Sequence, residues 1–563
     1  MSRLYVFAIL TLLTSPLARS QENAITIDVT PGPHALVEAR DEVRRLRASD
    51  TQRPATIRLA AGRYECSEPL VLEAQDSGIA VVAAPGASPQ LVGGTVVADW
   101  SPYQGEIKRA DVSTVAKRAT RYQQLLCGGQ RMILARYPNH DASNPLYGGW
   151  AFVAPFPKGS APEGHDWKRM LYVKPQDIRQ WAHPEDVEID IFAQYGWWNF
   201  LQPLKSLETT TGLLTLAAPC SYDLHPHNRF HFQNALEELD SPGEWFLDPR
   251  TSTLYFWPPQ ELAQAEVRLI TLDTFITAHK TSRVRIERLS FTGANRSAIT
   301  FTESTNCLVA GCTIDTVGAF RSAGINVTGG TKNTVRANDI HHTGSTGINI
   351  AGGDRLTLTP AEHTVLNNHI HHIGVLDKNA CGVAATGAGC TIAHNHIHDG
   401  PRMGVQLSGN LFTVEYNHLH HLVLETQDGG AIYTGGRDWL GGRGNVWRYN
   451  HIHDIIGCGQ QADGLKVPWF TFGLYPDDNT GGVDIIGNLV YRVAHSPLHL
   501  HNSRDCIVEN NIFAFGGAFQ FDLHGWHRDE RFYKQHHATM VAGYESVEAQ
   551  PKWAAMRGMS LHP

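Results

Sequence analysis

Short stretches in which apolar and polar residues alternate recur along the second half of the chain, each bounded by a glycine or an asparagine. One phrase, Asn-x-Ile-His or Asn-x-Leu-His, begins at Asn338, Asn368, Asn395, Asn417 and Asn450, with degenerate copies at Asn488 and Asn510. A second, glycine-bounded phrase occupies residues 324–329, 347–352, 382–387 and 404–409. A period of two predicts β-strands, and two strands in each irregular interval predict the coils of a parallel β-helix.

Stacking gives each repeated residue a position. Strands on successive coils lie roughly 4.8 Å apart, so the Ile and Leu of the phrase stack inward. The asparagines form a column at a corner, where amides can hydrogen-bond from coil to coil. The histidines form a column on the surface. Because such a column is not a closed set of ligands, we predict no metal site and no cofactor.

The predicted fold class is all-β: a right-handed parallel β-helix with an N-terminal capping helix and an inserted β-rich domain. The capping helix is expected over residues 35–48, where Leu36, Ala39, Val43 and Leu46 share one face, because a solenoid needs its end covered. No closing cap is evident at the other end, so we expect an incomplete C-terminus. The expected segments are a signal peptide (1–20), cap and first coils (21–97), the insert (98–266), the main β-helix (267–524) and an irregular or helical tail (525–563).

The N-terminus predicts export. Arg3 precedes an apolar stretch, and Ala18-Arg19-Ser20 is a small-x-small cleavage site; the stretch is too short to remain as an anchor. We therefore expect a secreted or periplasmic monomer with no membrane segment after cleavage. The formal net charge is −8 and no basic run occurs, which argues against nucleic-acid and anionic-membrane partners.

Nine cysteines, an odd number in a long chain, do not form a disulfide scaffold. Cys307 with Cys312, or Cys381 with Cys390, could pair. Buried free thiols are the favoured interpretation.

The regular pattern breaks between residues 425 and 505, and local rules tend to fail at functional sites. Aligned by their glycines, residues 404–409, 430–435, 473–478 and 497–502 stack in register. This alignment places Ile432 on the outward face. It also places there a group of polar and aromatic residues: Thr434, Tyr475, Asp477, Asp478, His499 and His501. Acids, histidines and an aromatic ring on a rigid sheet suit sugar recognition and acid–base chemistry.

Five phrases resemble a known family. Residues 425–433 (ETQDGGAIY), 435–438 (GGRD) and 474–482 (LYPDDNTGG) in the coils, with residues 128–139 and 234–248 in the insert, are similar to secreted, pectin-lyase-like β-helix proteins related to glycoside hydrolase family 141. The resemblance implies a glycosidase acting on plant polysaccharides. It also implies a catalytic pair of Asp428 with Asp478 or Asp477. Pro476, where an aliphatic residue is expected, and a long insertion at residues 457–472 depart from the pattern.

The position of Asp428 raises a difficulty. It precedes its strand, whereas Asp477 ends the next one, and straight segments would separate the two by roughly 20 Å. Either the Gly429-Gly430 turn folds Asp428 back over the face, which we favour, or the partner is Asp438.

Three further side chains, Arg437, Asp438 and Trp198, are candidates for substrate binding. Arg437 is either a substrate clamp or the partner of Asp438. Trp198 either stacks on a sugar or belongs to the core of the insert.

Three function classes follow. The first is a glycoside hydrolase that cleaves a plant- or algal-type polysaccharide or glycan with two aspartates. The second is a polysaccharide lyase or uronate epimerase on the same fold, which would require basic residues; this face has few, which counts against that class. The third is a non-catalytic carbohydrate-binding protein, which the absence of a close carboxyl pair would favour.

Overall fold

Three long parallel sheets, stacked coil upon coil, make up most of the protein. The structure is a computed structural model and describes residues 24–116, 124–462 and 464–561; the predicted signal peptide, residues 1–20, lies outside the described residues. The three sheets have 12, 11 and 11 strands, and the strands within each sheet run parallel. The predicted all-β, parallel β-helix architecture is therefore confirmed.

Each sheet is defined by its strands in stacking order. Sheet A contains Ile25–Val29, Ala55–Leu59, Ile79–Ala83, Arg285–Glu287, Leu308–Ala310, Thr334–Arg336, Thr364–Leu366, Thr391–Ala393, Thr413–Glu415, Val446–Arg448, Asp484–Ile486 and Ile507–Glu509. Sheet B contains Gly62–Cys66, Pro89–Gly93, Ser290–Ala294, Thr313–Val317, Asp339–His341, His369–His371, His396–His398, His418–Leu422, His451–Ile455, Leu489–Val493 and Ile512–Gly516. Sheet C contains Leu70–Leu72, Thr274–His279, Ser297–Thr302, Ala323–Thr328, Thr346–Gly352, Val383–Ala388, Val405–Asn410, Gly430–Gly435, Phe472–Asp477, Ser496–His501 and Asp522–His524.

The core runs along the inside of the stack as columns of apolar side chains. On sheet B the inward column is the isoleucine or leucine of the repeated phrase: Ile340, Ile370, Ile397, Leu419 and Ile452 pair coil to coil and are fully buried. Each buried side chain of this size contributes roughly 1.5–3 kcal/mol relative to exposure. Because side chains alternate between faces, the intervening histidines point outward.

The asparagine column forms the expected ladder. The side-chain oxygen of Asn395 accepts both the backbone N–H of Asn368 (3.0 Å) and its side-chain amide (2.9 Å), and the same pair of bonds joins the other members, Asn338, Asn417, Asn450 and Asn488, to their neighbours. The last member is Asn511, which bonds Asn488, and not Asn510 as the sequence phrase suggests. Asn510 instead has a left-handed backbone (φ 56°), like Tyr416 and Tyr449 before the asparagines of earlier coils.

Helices cover one end and one side of the stack. Helix α1 (Ala35–Leu46) buries Leu36, Ala39 and Val43 on the first coils, as predicted. Helix α2 (Ser113–Ala116) is a single turn in the insert. Helices α3 (Arg531–Val547) and α4 (Pro551–Ala554) form the tail, which packs sideways against Trp439 and Leu440. The last coil leaves apolar side chains such as Phe515 exposed.

The insert is a set of short, mostly antiparallel sheets. Its strands are Thr95–Val96, Ser101–Pro102, Lys108–Asp111, Leu125–Cys127, Gln130–Arg131, Ile133–Leu134, Arg136–Tyr137, Ala151–Phe152, Met170–Tyr172, Glu188–Ile191, Phe200–Leu207, Leu213–Leu216, Arg229–Gln233, Glu244–Asp248, Thr253–Phe256 and Val267–Leu269. The strands Glu244–Asp248 and Thr253–Phe256 form a hairpin, with Phe246 opposite Tyr255. Short 3-10 turns occur at Ala74–Asp76, Pro175–Asp177, Pro184–Asp186, Leu236–Glu238 and Leu262–Gln264. A separate hairpin, Gly459–Gln461 with Gly464–Lys466, lies in the insertion between two coils of sheet C.

All nine cysteines are free thiols, eight of them buried, so the alternative bridges Cys307–Cys312 and Cys381–Cys390 are not formed. Within the described ranges, no helix combines the length and the apolar character needed to cross a membrane.

We expect Asn368→Ala to lower the free energy of unfolding by roughly 3 kcal/mol, because it leaves buried polar groups of neighbouring coils without their hydrogen-bond partners. The bonds lost join Asn368 to Asn338, Asn395 and the carbonyl of Val335. Urea unfolding followed by circular dichroism measures the change. Asn367→Gly is the matched control: Asn367 is exposed and left-handed (φ 54°), where glycine is not strained. Equal stability of the two variants would contradict the ladder's role.

Candidate active site

The candidate site lies on sheet C where three neighbouring strands carry polar outward residues. Tyr433 is opposite Tyr475, Thr434 opposite Pro476, and Gly435 opposite Asp477. Leu474 in turn lies opposite Leu498 of the next strand, as the glycine alignment predicted. Outward residues of adjacent coils are thereby within reach of one another.

The predicted register of the strand Gly430–Gly435 is wrong by one residue. Ile432, not Ala431, pairs with Val405 and with Leu474, so Ile432 and Thr434 are buried in the core and Tyr433 faces outward. A shift of one residue exchanges the two faces of a strand. Matching Ile432 to the apolar residues of the neighbouring coils, rather than matching glycines, would have identified the outward tyrosine.

Asp428 folds back over the face, as the favoured alternative expected. Its backbone is left-handed (φ 51°) and its N–H donates to the carbonyl of Phe470 (2.8 Å), which turns the chain just before the strand. Its carboxylate accepts hydrogen bonds from the phenol of Tyr475 (3.0 Å) and from the indole N–H of Trp197 (3.0 Å). The insert therefore contributes directly to the site.

Asp477 is held by two hydrogen-bond donors, one on each adjacent coil. It accepts hydrogen bonds from the phenol of Tyr433 (2.8 Å) and from Nδ1 of His501 (2.7 Å). The indole N–H of Trp526 lies 3.1 Å from Nε2 of His501. Burial disfavours the charged imidazole, but the hydrogen bond with Asp477 and the negative charge of Asp477 outweigh it and raise the pKa of His501. Tyr475, whose hydroxyl donates to Asp428, is also among the groups that lower the pKa of Asp477.

The two aspartates have pKa values displaced in opposite directions. Burial and the nearby negative charge of Asp477 raise the pKa of Asp428 to about 6. Burial also disfavours the ionised form of Asp477, but the hydrogen bonds from His501, Tyr433 and Tyr475 outweigh it and lower its pKa. One carboxyl thus retains a proton at mildly acidic pH while the other is ionised.

Asp478 and Arg437 form an ion pair at the edge of this group of residues. Nε of Arg437 lies 2.5 Å from Oδ2 of Asp478, so Arg437 is not the partner of Asp438. The left-handed backbone of Asp478 (φ 44°) places its other oxygen 3.7 Å from Nδ1 of His501. Burial and the charge of Asp477 raise the pKa of Asp478. The Arg437 side chain is 61% exposed, so it can reach a bound molecule.

The remaining predicted residues lie outside this cluster of contacts. Thr434 is buried in the core. Asp438 caps a turn through the N–H groups of Leu440 and Gly441 and pairs with Arg355 (3.1 Å), so it is not the partner of Asp477. The register error explains the misplacement of Thr434, whereas Asp438 follows its strand and is free to turn away.

His499 and Trp198 border the cluster. His499 stacks on Phe472 (4.2 Å) and has Nδ1 2.7 Å from Asp522. Burial lowers the pKa of His499 to about 4, so it is neutral near pH 7. Trp198 is half-buried and packs against Tyr222 of the insert and the guanidinium of Arg402.

Sequence reasoning missed Trp197, Tyr433, Trp526 and Arg402 as site residues. Arg402 is buried, and its charge favours the ionised form of Asp428. The aromatic run at residues 195–200 did signal a role for the insert. Nothing in the sequence marked Arg402 or Trp526.

Several contacts dock the insert onto the segment that precedes Asp428. The guanidinium of the buried Arg229 donates to the carbonyl of Glu425, and Gln427 donates to the carbonyl of Tyr195. Lys378 pairs with Glu425 at 2.7 Å. The turn that orients Asp428 is therefore braced from two sides.

Comparison with known proteins supports the architecture. The sequence family described as the right handed beta helix region matches residues 274–359 and 321–466. A solved structure named "Glycoside hydrolase" superposes with a TM-score of 0.66 over 86% of this chain and 96% of its own, at 18% identity. The fold is a right-handed parallel β-helix.

Two further solved structures resemble this β-helix at lower scores. They are XylC in complex with xylose (10% identity, TM-score 0.42, 81% of each chain) and the A-module of the mannuronan C-5 epimerase AlgE6 of Azotobacter vinelandii (11% identity, TM-score 0.31, 88% of this chain and 96% of that one). None of the curated proteins compared with this β-helix matches its sequence.

We expect the stability difference between the wild type and Asp428→Asn to depend on pH. A carboxyl with a raised pKa in the folded state contributes stability that is present at low pH and lost as pH rises through about 6. Between about pH 4.5 and about pH 7, the difference should shift by about 2 kcal/mol in favour of the variant. Denaturant unfolding at each pH measures it.

Asp354→Asn is the control, because a hydrogen bond from Thr357 lowers the pKa of this exposed carboxyl and it stays ionised over that range. A shift of the same size in both variants would show that Asp428 is not the titrating group.

Proposed function

We propose that this protein is a glycoside hydrolase in which Asp428 and Asp477 are the two catalytic carboxyls. The observation that carries the proposal is the opposite displacement of the pKa values of two carboxyls that accept from neighbouring phenols, Asp428 from Tyr475 and Asp477 from Tyr433. Hydrolysis of a glycosidic bond needs one carboxyl that holds a proton and one that is ionised. The solved structure that shares this fold is named a glycoside hydrolase, which makes this class the first to test.

In this mechanism Asp428 is the general acid. Its proton, retained to about pH 6, passes to the oxygen of the leaving group as the bond breaks. Arg402 and Trp197 then stabilise the carboxylate that remains, because both favour the ionised form. These two residues keep the pKa from rising so far that the proton could not leave.

Asp477 acts as the base or nucleophile. The hydrogen bonds from Tyr433 and His501 keep it ionised and fix the orientation of its carboxylate. Trp526 holds the His501 ring by its other nitrogen, so His501 is a positioning residue. Asp478, which is paired with Arg437, adds a further carboxyl beside Asp477. The exposed Arg437 is placed to contact substrate hydroxyl groups.

The aromatic side chains of the insert suit a carbohydrate polymer. The ring centroids of Trp197 and Tyr195 lie 4.9 Å apart, and Tyr195 is 55% exposed. The ring of Trp198 lies beside that of Trp197. Exposed aromatic faces beside a catalytic carboxyl can stack on sugar rings. We infer a plant- or algal-type polysaccharide or glycan as substrate. The predicted signal peptide would bring the enzyme to such a substrate outside the cytoplasm.

A lyase or epimerase acting on uronates is the second candidate. Arg402 and Arg437 supply positive charges near Asp428 and Asp478, and Arg402 was not among the residues expected from the sequence. Such enzymes neutralise a substrate carboxylate with cations. An unsaturated product would identify this chemistry.

We expect Asp428→Asn and Asp477→Asn each to lower hydrolysis of a responsive polysaccharide by on the order of 10³-fold or more, because each removes one of the two carboxyls. Reducing ends and ultraviolet absorbance of unsaturated product are both read over a panel of plant and algal polysaccharides. Asp354→Asn, an exposed turn residue, should retain wild-type rates. Unsaturated product would identify a lyase, and full activity in either site variant would exclude this carboxyl pair.

We expect Trp197→Phe to move the alkaline limb of the pH–rate profile upward by about half a unit. The indole N–H stabilises the Asp428 carboxylate, so its removal raises the pKa of Asp428, and the acid stays protonated to higher pH. Trp198→Phe is the matched control and should leave the limb in place. An unmoved limb in Trp197→Phe would mean that Asp428 does not set it.

A further inference from the structure

Two columns of histidine run along the outward face of sheet B. One column holds His369, His396, His418 and His451, and the other holds His341, His371, His398, His420 and His453. Rings on neighbouring coils stack within each column, with centroids 4.6 to 5.2 Å apart. All nine side chains are half-buried.

Imidazole nitrogens of the two columns also lie within hydrogen-bond distance of one another. Nε2 of His369 lies 2.9 Å from Nε2 of His398, one coil further, and the same distance separates His418 from His453. Two N–H groups cannot face each other at this distance, so at least one nitrogen of each pair carries a free lone pair. Neutral imidazole nitrogens held close together are the ligands that transition-metal ions prefer.

Carboxylates fix which nitrogen is free. Nδ1 of His398 lies 2.6 Å from Asp399, and Nδ1 of His453 lies 2.6 Å from Asp454. A carboxylate that accepts the Nδ1 proton leaves Nε2 as the lone-pair nitrogen and makes it more basic. This carboxylate–histidine arrangement is the usual surrounding of a histidine that binds zinc.

We propose that sheet B binds divalent transition-metal ions, of the class that imidazole favours, at two three-histidine sites. The His398 site consists of His369, His396 and His398, and the His453 site consists of His418, His451 and His453. In each site the three ligand atoms lie within 4.8 Å of one another. Tetrahedral zinc needs nitrogen atoms roughly 3.3 Å apart, which small rotations of surface rings can supply, with water as fourth ligand.

This inference revises the expectation that the histidine column is not a closed ligand set. Each site takes two histidines from one strand and one from the coil before it. The sequence alone showed the pair of histidines on each strand but not the third ligand. Coil stacking supplies that ligand because the register aligns His369 with His396 and His418 with His451.

The arrangement limits the number of ions. A third group, His396 with His418 and His420, shares one histidine with each of the two sites, so it competes with both. Nδ1 of His420 faces His421 (2.7 Å) instead of a carboxylate, which makes this middle group the weaker one. These three overlapping groups of histidines can therefore bind two ions at the same time.

The two sites differ in their neighbours. The guanidinium of Arg492 pairs with Asp454 at 2.6 Å and lies 3.5 Å from Nδ1 of His453. This positive charge competes for Asp454 and repels a cation. The His398 site has instead a second carboxylate, Asp339, 3.1 Å from Nδ1 of His369, so it is the tighter of the two.

Zinc chloride titrated calorimetrically into the full-length protein tests the proposal. We expect at least two zinc ions per chain, with the tighter Kd on the order of 1 μM or below. His396→Gln with His418→Gln removes one ligand from each site and should weaken both by at least about 100-fold. Asp399→Asn, which leaves every ligand in place, should weaken the tighter site alone by about 10-fold or more.

His279→Gln with His394→Gln is the matched control, because these exposed histidines lie outside the three-histidine groups. It should bind zinc as the wild type does. Circular dichroism checks that each variant is folded, and the single Asp399→Asn exchange decides the matter if the double ligand variant is not. Absence of saturable zinc binding, or binding that the ligand variant and Asp399→Asn both retain unchanged, would overturn the proposal.

Discussion

The asparagine ladder is the interaction on which the rest of this structure depends. Each buried amide ties the backbone of one coil to the side chain of the next, so coils of different length are brought to one corner in one register. Fixing that corner fixes where the strands of sheet B begin on the coils from Asn338 to Asn511. It thereby aligns the apolar columns inside the stack and the histidine columns outside it. An amide without its partner in this dry position would cost more than the bond contributes, which is why the column is uninterrupted from Asn338 to Asn511.

The candidate active site uses the same register but departs from the repeat at each carboxylate. Asp428 and Asp478 both have left-handed backbones, one before and one after a strand of sheet C, and these turns bring acids from the ends of strands over the sheet. The insert and the tail then brace them, through Trp197 on one side and Trp526 on the other. The rigid stack fixes the phenols of Tyr433 and Tyr475 together with Asp477, the last residue of its strand, and the irregular segment before the strand Gly430–Gly435 supplies Asp428.

Much of the fold could be predicted because stacking repeats one short-range pattern. Alternation identified the strands, and the face of Leu36, Ala39 and Val43 identified the capping helix. The register at Tyr433 was not predicted, because glycine positions proved a weaker guide than the inward Ile432. Contacts such as Trp197 with Asp428, separated by 231 residues, have no local signature. Neither does Arg402, whose position near Asp428 follows only from the assembled coils.

The spacing between ladder asparagines ranges from 22 to 38 residues, yet the amides meet at the same distance throughout. Surplus residues therefore leave the stack as loops at the corners, such as the hairpin Gly459–Gln461 with Gly464–Lys466, whose Gln460 contacts the backbone of Arg229. Such an excursion lengthens the chain without disturbing the strands beside it. During evolution, loops at the corners can therefore be exchanged, lengthened or lost without changing the strands of each coil. The residues around the candidate active site can change in this way while the β-helix that carries them still folds.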